Sequence, residues 1–206
     1  MRFYRFCRGL VNIFLRTYFR MSVEGAEHIP TEGGFVLAGN HMSYLDPFVM
    51  GVGCSRQVYF MAKAEIFKIP VIKQVAVRLG AFPVRRGGAD RQAIRKGLDI
   101  LMRGDVLGVF PEGTRNRSDT GELLTPQGGA AMLALKADVP VVPAAIWGTD
   151  RVDGWLHFPK PVRIGVRFGA PIYFTKVDKV NHEIVASASA RIIEAIEAMI
   201  PKRKKR

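Results

Sequence analysis

The chain has 206 residues, 48% of them hydrophobic, with two cysteines, four histidines and a formal net charge of +13. That length supports one well-buried domain, and the apolar fraction excludes a disordered or purely electrostatic module. Cys7 and Cys54 are too few for a disulfide framework or a metal-ligand cluster, which implies a reducing compartment and no structural metal. Residues 1–21 and 201–206 hold ten of the 31 basic side chains and no acid, leaving 21 bases against 18 acids over the rest, so the body is nearly neutral.

At 100° per residue, Arg2, Arg5, Arg8, Asn12, Arg16 and Arg20 fall within one arc about 120° wide. Aromatic and aliphatic residues from Phe3 to Phe19 fill the rest of the wheel. This is the pattern of an amphipathic helix in a membrane interface, with arginines toward anionic headgroups. The alternative is a helix that packs its apolar side on the domain while its arginines face water, and the two uses are compatible. The longest uncharged stretch, Gly9 to Leu15, is far short of the roughly 20 residues that cross a bilayer. Arg16 and Arg20, with no small-residue cleavage site after them, argue against a secretory signal. The expected organisation is an interfacial helix over 1–21, one domain over 22–200 and a basic tail over 201–206.

Val23 to Thr31 reads as a connecting strand and turn. Gly33 to Gly39 is an apolar run expected to form a buried strand, and it ends at Asn40-His41-Met42-Ser43-Tyr44-Leu45-Asp46-Pro47. Asp46 followed by Pro47 marks a helix start. On a single helix, His41 and Asp46 would diverge by about 140°. A turn between them instead folds the carboxylate back onto the imidazole, the arrangement a general base requires. Asp46 as a simple N-cap and His41 as a turn residue remain the alternative.

Pro47 to Gly53 is a predicted helix, Gln57 to Ala62 a second buried strand, and Pro70 to Leu79 a helix broken by Gly80. The next strand, from Gly80, finishes in a basic turn at Arg85 and Arg86, whose guanidinium forks suit a phosphate or simply solvate an edge. Asp90 caps a helix running to Met102. Asp105 to Phe110 is a buried strand that delivers Pro111-Glu112-Gly113-Thr114-Arg115 at its tip, a plausible anion-binding rim or an ordinary turn. Gly128 to Ala137 is helical. Val139-Pro140-Val141-Val142-Pro143 opens a strand whose two prolines suggest that it lies at an edge or begins and bends at them. Val162 to Phe168 alternates as a strand, and Glu183 to Ile200 is a closing amphipathic helix. Strands alternating with helices predict an α/β fold, a layered mixed sheet flanked by helices, with the amphipathic helix at its N-terminus.

Four segments at strand ends together resemble the glycerolipid acyltransferase superfamily, in particular its 1-acyl-glycerol-3-phosphate acyltransferases. They are Asn40-His41-x-x-x-x-Asp46, Gly80-x-Phe82-x-x-Arg85 with Arg86 behind it, Phe110-Pro111-Glu112-Gly113-Thr114-Arg115, and Val139-Pro140-Val141-Val142-Pro143. The resemblance implies transfer of a fatty acyl group from a thioester, carried by coenzyme A or acyl carrier protein, to the free hydroxyl of a lysophospholipid. His41 would be the general base, oriented by Asp46, with no covalent acyl-enzyme and no cofactor or metal. In agreement, no Gly-x-Ser-x-Gly elbow is present and neither cysteine lies in a motif. The resemblance assigns Arg85 or Arg86, Glu112, Gly113, Thr114 and Arg115 to the glycerol-phosphate head, and Val139 to Pro143 to shaping the acyl site. Two departures stand out. Phe82 follows Gly80 by two residues where members often have three, and Thr125-Pro126-Gln127-Gly128 stands where many carry a lysine.

A lysolipid acceptor resides in a bilayer, so the expected location is the cytoplasmic face of a membrane, peripherally attached to an anionic surface. The rivals are an acyltransferase of another lysophospholipid or an aminolipid, and a non-enzymatic basic module binding membrane or nucleic acid. Nucleic acid is disfavoured by the near-neutral body and the lack of a recognised binding signature.

Overall fold

Every residue of strand β2 (Phe35–Gly39) is buried, and its alternating side chains feed two separate cores. Phe35 and Leu37 point into one, with Leu15 and Phe19 near the N-terminus and Val49 and Met50 further on. Val36 and Ala38 point into the other, with Ala93, Ile100, Leu133 and Ile192. A period of two with apolar residues on both phases is what a central strand covered on both faces requires.

The computed structural model describes residues 2–85, 90–116, 123–152, 160–177 and 179–201; Arg86 and the tail from Lys202 lie outside them. The elements are α1 (Arg2–Tyr18), β1 (Ser22–Glu24), β2, α2 (Asp46–Gly53), β3 (Val58–Lys63), α3 (Pro70–Arg78), β4 (Ala81–Val84), α4 (Arg91–Met102), β5 (Val106–Val109), α5 (Gly129–Ala137), β6 (Val141–Trp147), β7 (Gly165–Phe168) and α6 (His182–Met199). The seven strands form one mixed sheet in the order β1-β7-β6-β2-β5-β3-β4. Among the described strands only the β6–β7 pair is antiparallel. The β2–α2–β3 and β3–α3–β4 connections step one way across the sheet, and β4–α4–β5 and β5–α5–β6 step back. Right-handed crossovers therefore put α2 and α3 on one face and α4 and α5 on the other. The fold is the layered α/β architecture the alternation predicts. Asp90 caps α4 by accepting from the Gln92 and Ala93 N–H groups, as expected, and Asn181 caps α6 through Ile184.

Three local expectations need correction. The strand that begins at Val141, directly after Pro140, and holds Pro143 is not an edge: β6 lies between β2 and β7, with Ala38 opposite Pro143. The regular β7 ladder ends at the Ala144–Phe168 pair; beyond it Gly169 donates to the Pro143 carbonyl and the chain bulges before Ile172 bridges Val141, so the N–H that Pro143 lacks falls in the irregular stretch. The β3 segment is fully buried only at Val58. Finally, Arg8 does not point outward with the exposed Arg2, Arg5 and Arg16 of the α1 stripe. Its guanidinium donates to the carbonyls of Gly51 (3.1 Å), Val52 (2.9 Å) and Cys54 (2.7 Å), the free acceptors at the end of α2.

Helix α1 is thus docked: Leu15 and Phe19 enter the core while Phe3, Phe6, Leu10, Ile13 and Phe14 remain exposed. Its wheel is apolar on two sides, one packed on the domain and one exposed. Replacing Arg8 with Ala is expected to lower the unfolding free energy by about 2 kcal/mol, the scale of charged hydrogen bonds. The urea midpoint reads this, and an unchanged midpoint would show that the guanidinium does not hold the α1–α2 contact.

Candidate active site

The parallel strands β2 and β5 end side by side, Ala38 being paired with Val109, so the loops after them meet at one edge of the sheet. Ligand sites in open α/β sheets gather at such carboxyl edges. His41 follows β2 and Glu112 follows β5, and both are almost wholly buried.

Asp46 is the first residue of α2, yet its carboxylate does not cap that helix. Its Oδ2 reaches back and accepts from the backbone N–H of Met42 (2.6 Å) and Ser43 (2.7 Å), and lies 2.9 Å from Nδ1 of His41. The turn inferred from the spacing is present, and the simple N-cap alternative is not. An ionised carboxylate can only accept, so this contact calls for a proton on Nδ1, and in the neutral imidazole that tautomer puts the lone pair on Nε2. No hydrogen bond to Nε2 is formed among the described residues. The imidazole is stacked on Phe110, with ring centroids 4.0 Å apart and planes 17° from parallel.

Glu112, 1% exposed, spends both oxygens on backbone: Oε1 accepts from the His41 N–H (2.9 Å) and Oε2 from the Leu124 N–H (3.0 Å). The Asn116 N–H donates to the His41 carbonyl at 2.6 Å. The β5 loop therefore grips the histidine backbone on both sides. Burial pushes the Glu112 carboxyl above its ordinary pKa, against the pull of those two N–H bonds.

The other expected site residues are distributed unevenly. Gly113 has φ +67, a conformation natural to glycine, and a Cβ there would come within 2.8 Å of Gln127. Its N–H donates to the Phe110 carbonyl and is committed to the turn. Thr114 is exposed at the tip. Arg115 lies across Tyr44, its guanidinium carbon 3.6 Å from the ring centroid and one nitrogen donating to the phenol oxygen at 2.9 Å. Arg85 is exposed at the end of β4, two strands from β5, and its N–H donates to Asp90.

Val139 to Pro143 are not brought to His41. The register pairs Ala144 with Gly39, so Val139 lies roughly 16 Å back toward the amino edge, and Val141 and Val142 are core residues. Of the residues that shape the site, Phe110, Tyr44 and Asn116 had no role in the sequence reading. Phe110 and Tyr44 sit inside the first and third motifs, so an aromatic within a polar loop was the available signal. Among the described residues no three His, Cys, Asp or Glu side chains form a metal-binding group.

The acyltransferase family model matches residues 20–147, which is most of the chain and includes both loops. The chain belongs to the acyltransferase family. This acyltransferase is 33% identical over 146 residues to the 1-acyl-sn-glycerol-3-phosphate acyltransferase of Bacillus subtilis (strain 168), covering 70% of this chain and 71% of that one. It is 30% identical over 199 residues to the protein of the same name from Streptococcus pneumoniae, covering 92% and 70%. It also resembles the crystal structure of PlsC, the 1-acyl-sn-glycerophosphate acyltransferase of Thermotoga maritima, with a TM-score of 0.74 and 25% identity. That match spans 98% of this chain and 83% of the other.

Glu112→Gln is expected to lower kcat more than it changes either KM, because one backbone N–H loses its acceptor and His41 shifts. A KM effect confined to the acceptor would instead make Glu112 a headgroup ligand. The pH dependence of stability gives a second readout. With its folded pKa raised, Glu112 contributes stability that is full below the unfolded value and lost as pH rises through the folded one. The glutamine variant should lack that slope.

Proposed function

We propose that the protein acylates the free hydroxyl of 1-acyl-glycerol-3-phosphate, using a fatty acyl thioester of coenzyme A or acyl carrier protein and giving phosphatidic acid. The observation that carries this is the Nδ1–Asp46 contact, which leaves Nε2 of a buried, stacked imidazole as a lone-pair base. Nε2 takes the proton of the acceptor hydroxyl as its oxygen attacks the thioester carbonyl. The C–S bond then breaks, and the departing sulfur takes the proton from the imidazolium. Asp46 keeps the ring in the required tautomer and stabilises its charged form.

Arg115 supplies the cation for the phosphate head and is held ready over Tyr44; Arg85, at the same edge of the sheet, and Arg86 are the further candidates. Glu112 acts as a positioning residue, since both its oxygens are engaged. The acceptor is an amphiphile, and the exposed apolar side of α1 with Arg2, Arg5, Arg16 and Arg20 suits an anionic bilayer surface. Among the described residues no helix is long and apolar enough to cross a membrane.

Acyl transfer from oleoyl thioester to lysophosphatidate in mixed micelles tests this reading. His41→Ala is expected to fall by about 10³-fold at unchanged stability, the scale of general-base catalysis. Comparable rates in both proteins would sink the base assignment. Arg115→Ala should raise the KM for lysophosphatidate while leaving that for the thioester in place, and an equal rise in both would remove it from the headgroup site.

A further inference from the structure

Exposed apolar side chains are distributed very unevenly over this molecule. Among the described residues, every exposed large hydrophobic except Met102 and Tyr173 belongs to α1, to the segment from Tyr44 into α2, or to the segment from Ile66 through α3. All three helices cover the same face of the sheet, whereas α4, α5 and α6 pack the opposite core. Helix α3 is the extreme case, since none of its residues is buried. Ile69, Val71, Ile72, Val75 and Val77 are all exposed, Val71 to 72%. A patch this dense and continuous marks a surface that is covered when the protein works.

We propose that α3 is a second membrane-inserting element, which with the outer side of α1 forms one lipid-facing surface. Two observations join the helices and select the occupant. The Arg78 guanidinium at the end of α3 lies 5.8 Å from the Phe3 ring centroid at the start of α1, so the two apolar surfaces are neighbours. From Ile66 to Arg78 the chain has no acid, while Lys68, Lys73 and Arg78 flank the apolar positions, as the arginines do in α1. Glu65, just before this stretch, is paired with Lys63 at 3.4 Å, so the charges fringing the apolar positions are predominantly cationic and complement an anionic headgroup layer over hydrocarbon. A second copy of the chain would set these cations against one another.

The segment leading into α3 starts at Lys63, where β3 ends at the carboxyl edge of the sheet beside β5. Insertion of α3 would therefore seat the edge carrying His41 and Arg115 at the bilayer, where an acyl-chain-bearing acceptor is held. The proposal goes beyond the anchoring given to α1, and its test needs no transfer activity.

The test is partition of the full-length protein onto phosphatidylglycerol–phosphatidylcholine vesicles. Wild type is compared with Val71→Gln/Ile72→Gln, which leaves the charge unchanged, and with Met102→Gln on the opposite face. The α3 variant is expected to lose about tenfold or more in partition at unchanged thermal stability, and Met102→Gln to match wild type. An α3 variant that binds as wild type does, or a wild type that stays off the vesicles, would overturn the proposal. So would a lipid-free dimer that the α3 substitutions dissociate, because the occupant would then be a second copy. A wild type that partitions normally and loses it in the α3 variant, yet transfers no acyl group, would support the proposal and count against the catalytic reading alone.

Discussion

One carboxylate oxygen, Oδ2 of Asp46, organises the loop between β2 and α2. It draws together the Met42 and Ser43 N–H groups and the His41 imidazole, all within 2.9 Å, at a residue with no exposed surface. Burying a carboxylate is costly unless donors replace its water, and here three donors on one oxygen do so while Oδ1 has none. The turn between strand and helix cannot open without stranding that charge, so the same contacts that keep the loop folded also fix the histidine. Glu112 repeats the device from the neighbouring strand, tying the His41 N–H and the Leu124 N–H to one side chain. The imidazole ring is held by Asp46 and Phe110 and the His41 backbone by Glu112 and Asn116, so the ring is fixed before any substrate arrives.

The sheet makes this possible because β2 and β5 are adjacent and parallel though far apart in sequence. Their carboxyl ends deliver the two loops to one place, and the right-handed crossovers segregate the helices. One face buries its helices conventionally. The other carries α1 and α3 with much of their apolar surface outward, an arrangement that water alone does not favour. Chemistry at the strand ends and an amphipathic face belong together if the acceptor is a lipid.

Much of this was legible in the sequence, wherever a local pattern determines a local structure. The apolar run before His41, the Asp-Pro helix start and the Asp90 cap each reflect short-range rules and appear as expected. The spacing of His41 and Asp46 carried their contact because a turn has few ways to close. Partners chosen by the tertiary fold were not legible. Nothing local distinguishes Arg8 from the other arginines of α1, and its inward orientation depends on where α2 ends. Glu112 read as part of an anion-binding rim, and its burial was not legible because its two backbone partners lie 71 and 12 residues away. Pro143 suggested an edge strand, since the interruption of β7 beside it is a property of the assembled sheet.

The most direct test of the central claim is the tautomer of His41, measured by long-range proton–nitrogen correlation NMR of the free enzyme at neutral pH, with Asp46→Asn as the comparison. The account predicts that wild-type His41 carries its proton on Nδ1 and leaves Nε2 unprotonated, and that the asparagine variant loses this preference. A wild-type signal with the proton on Nε2 would contradict it, because the nitrogen assigned to take the acceptor's proton would already hold one.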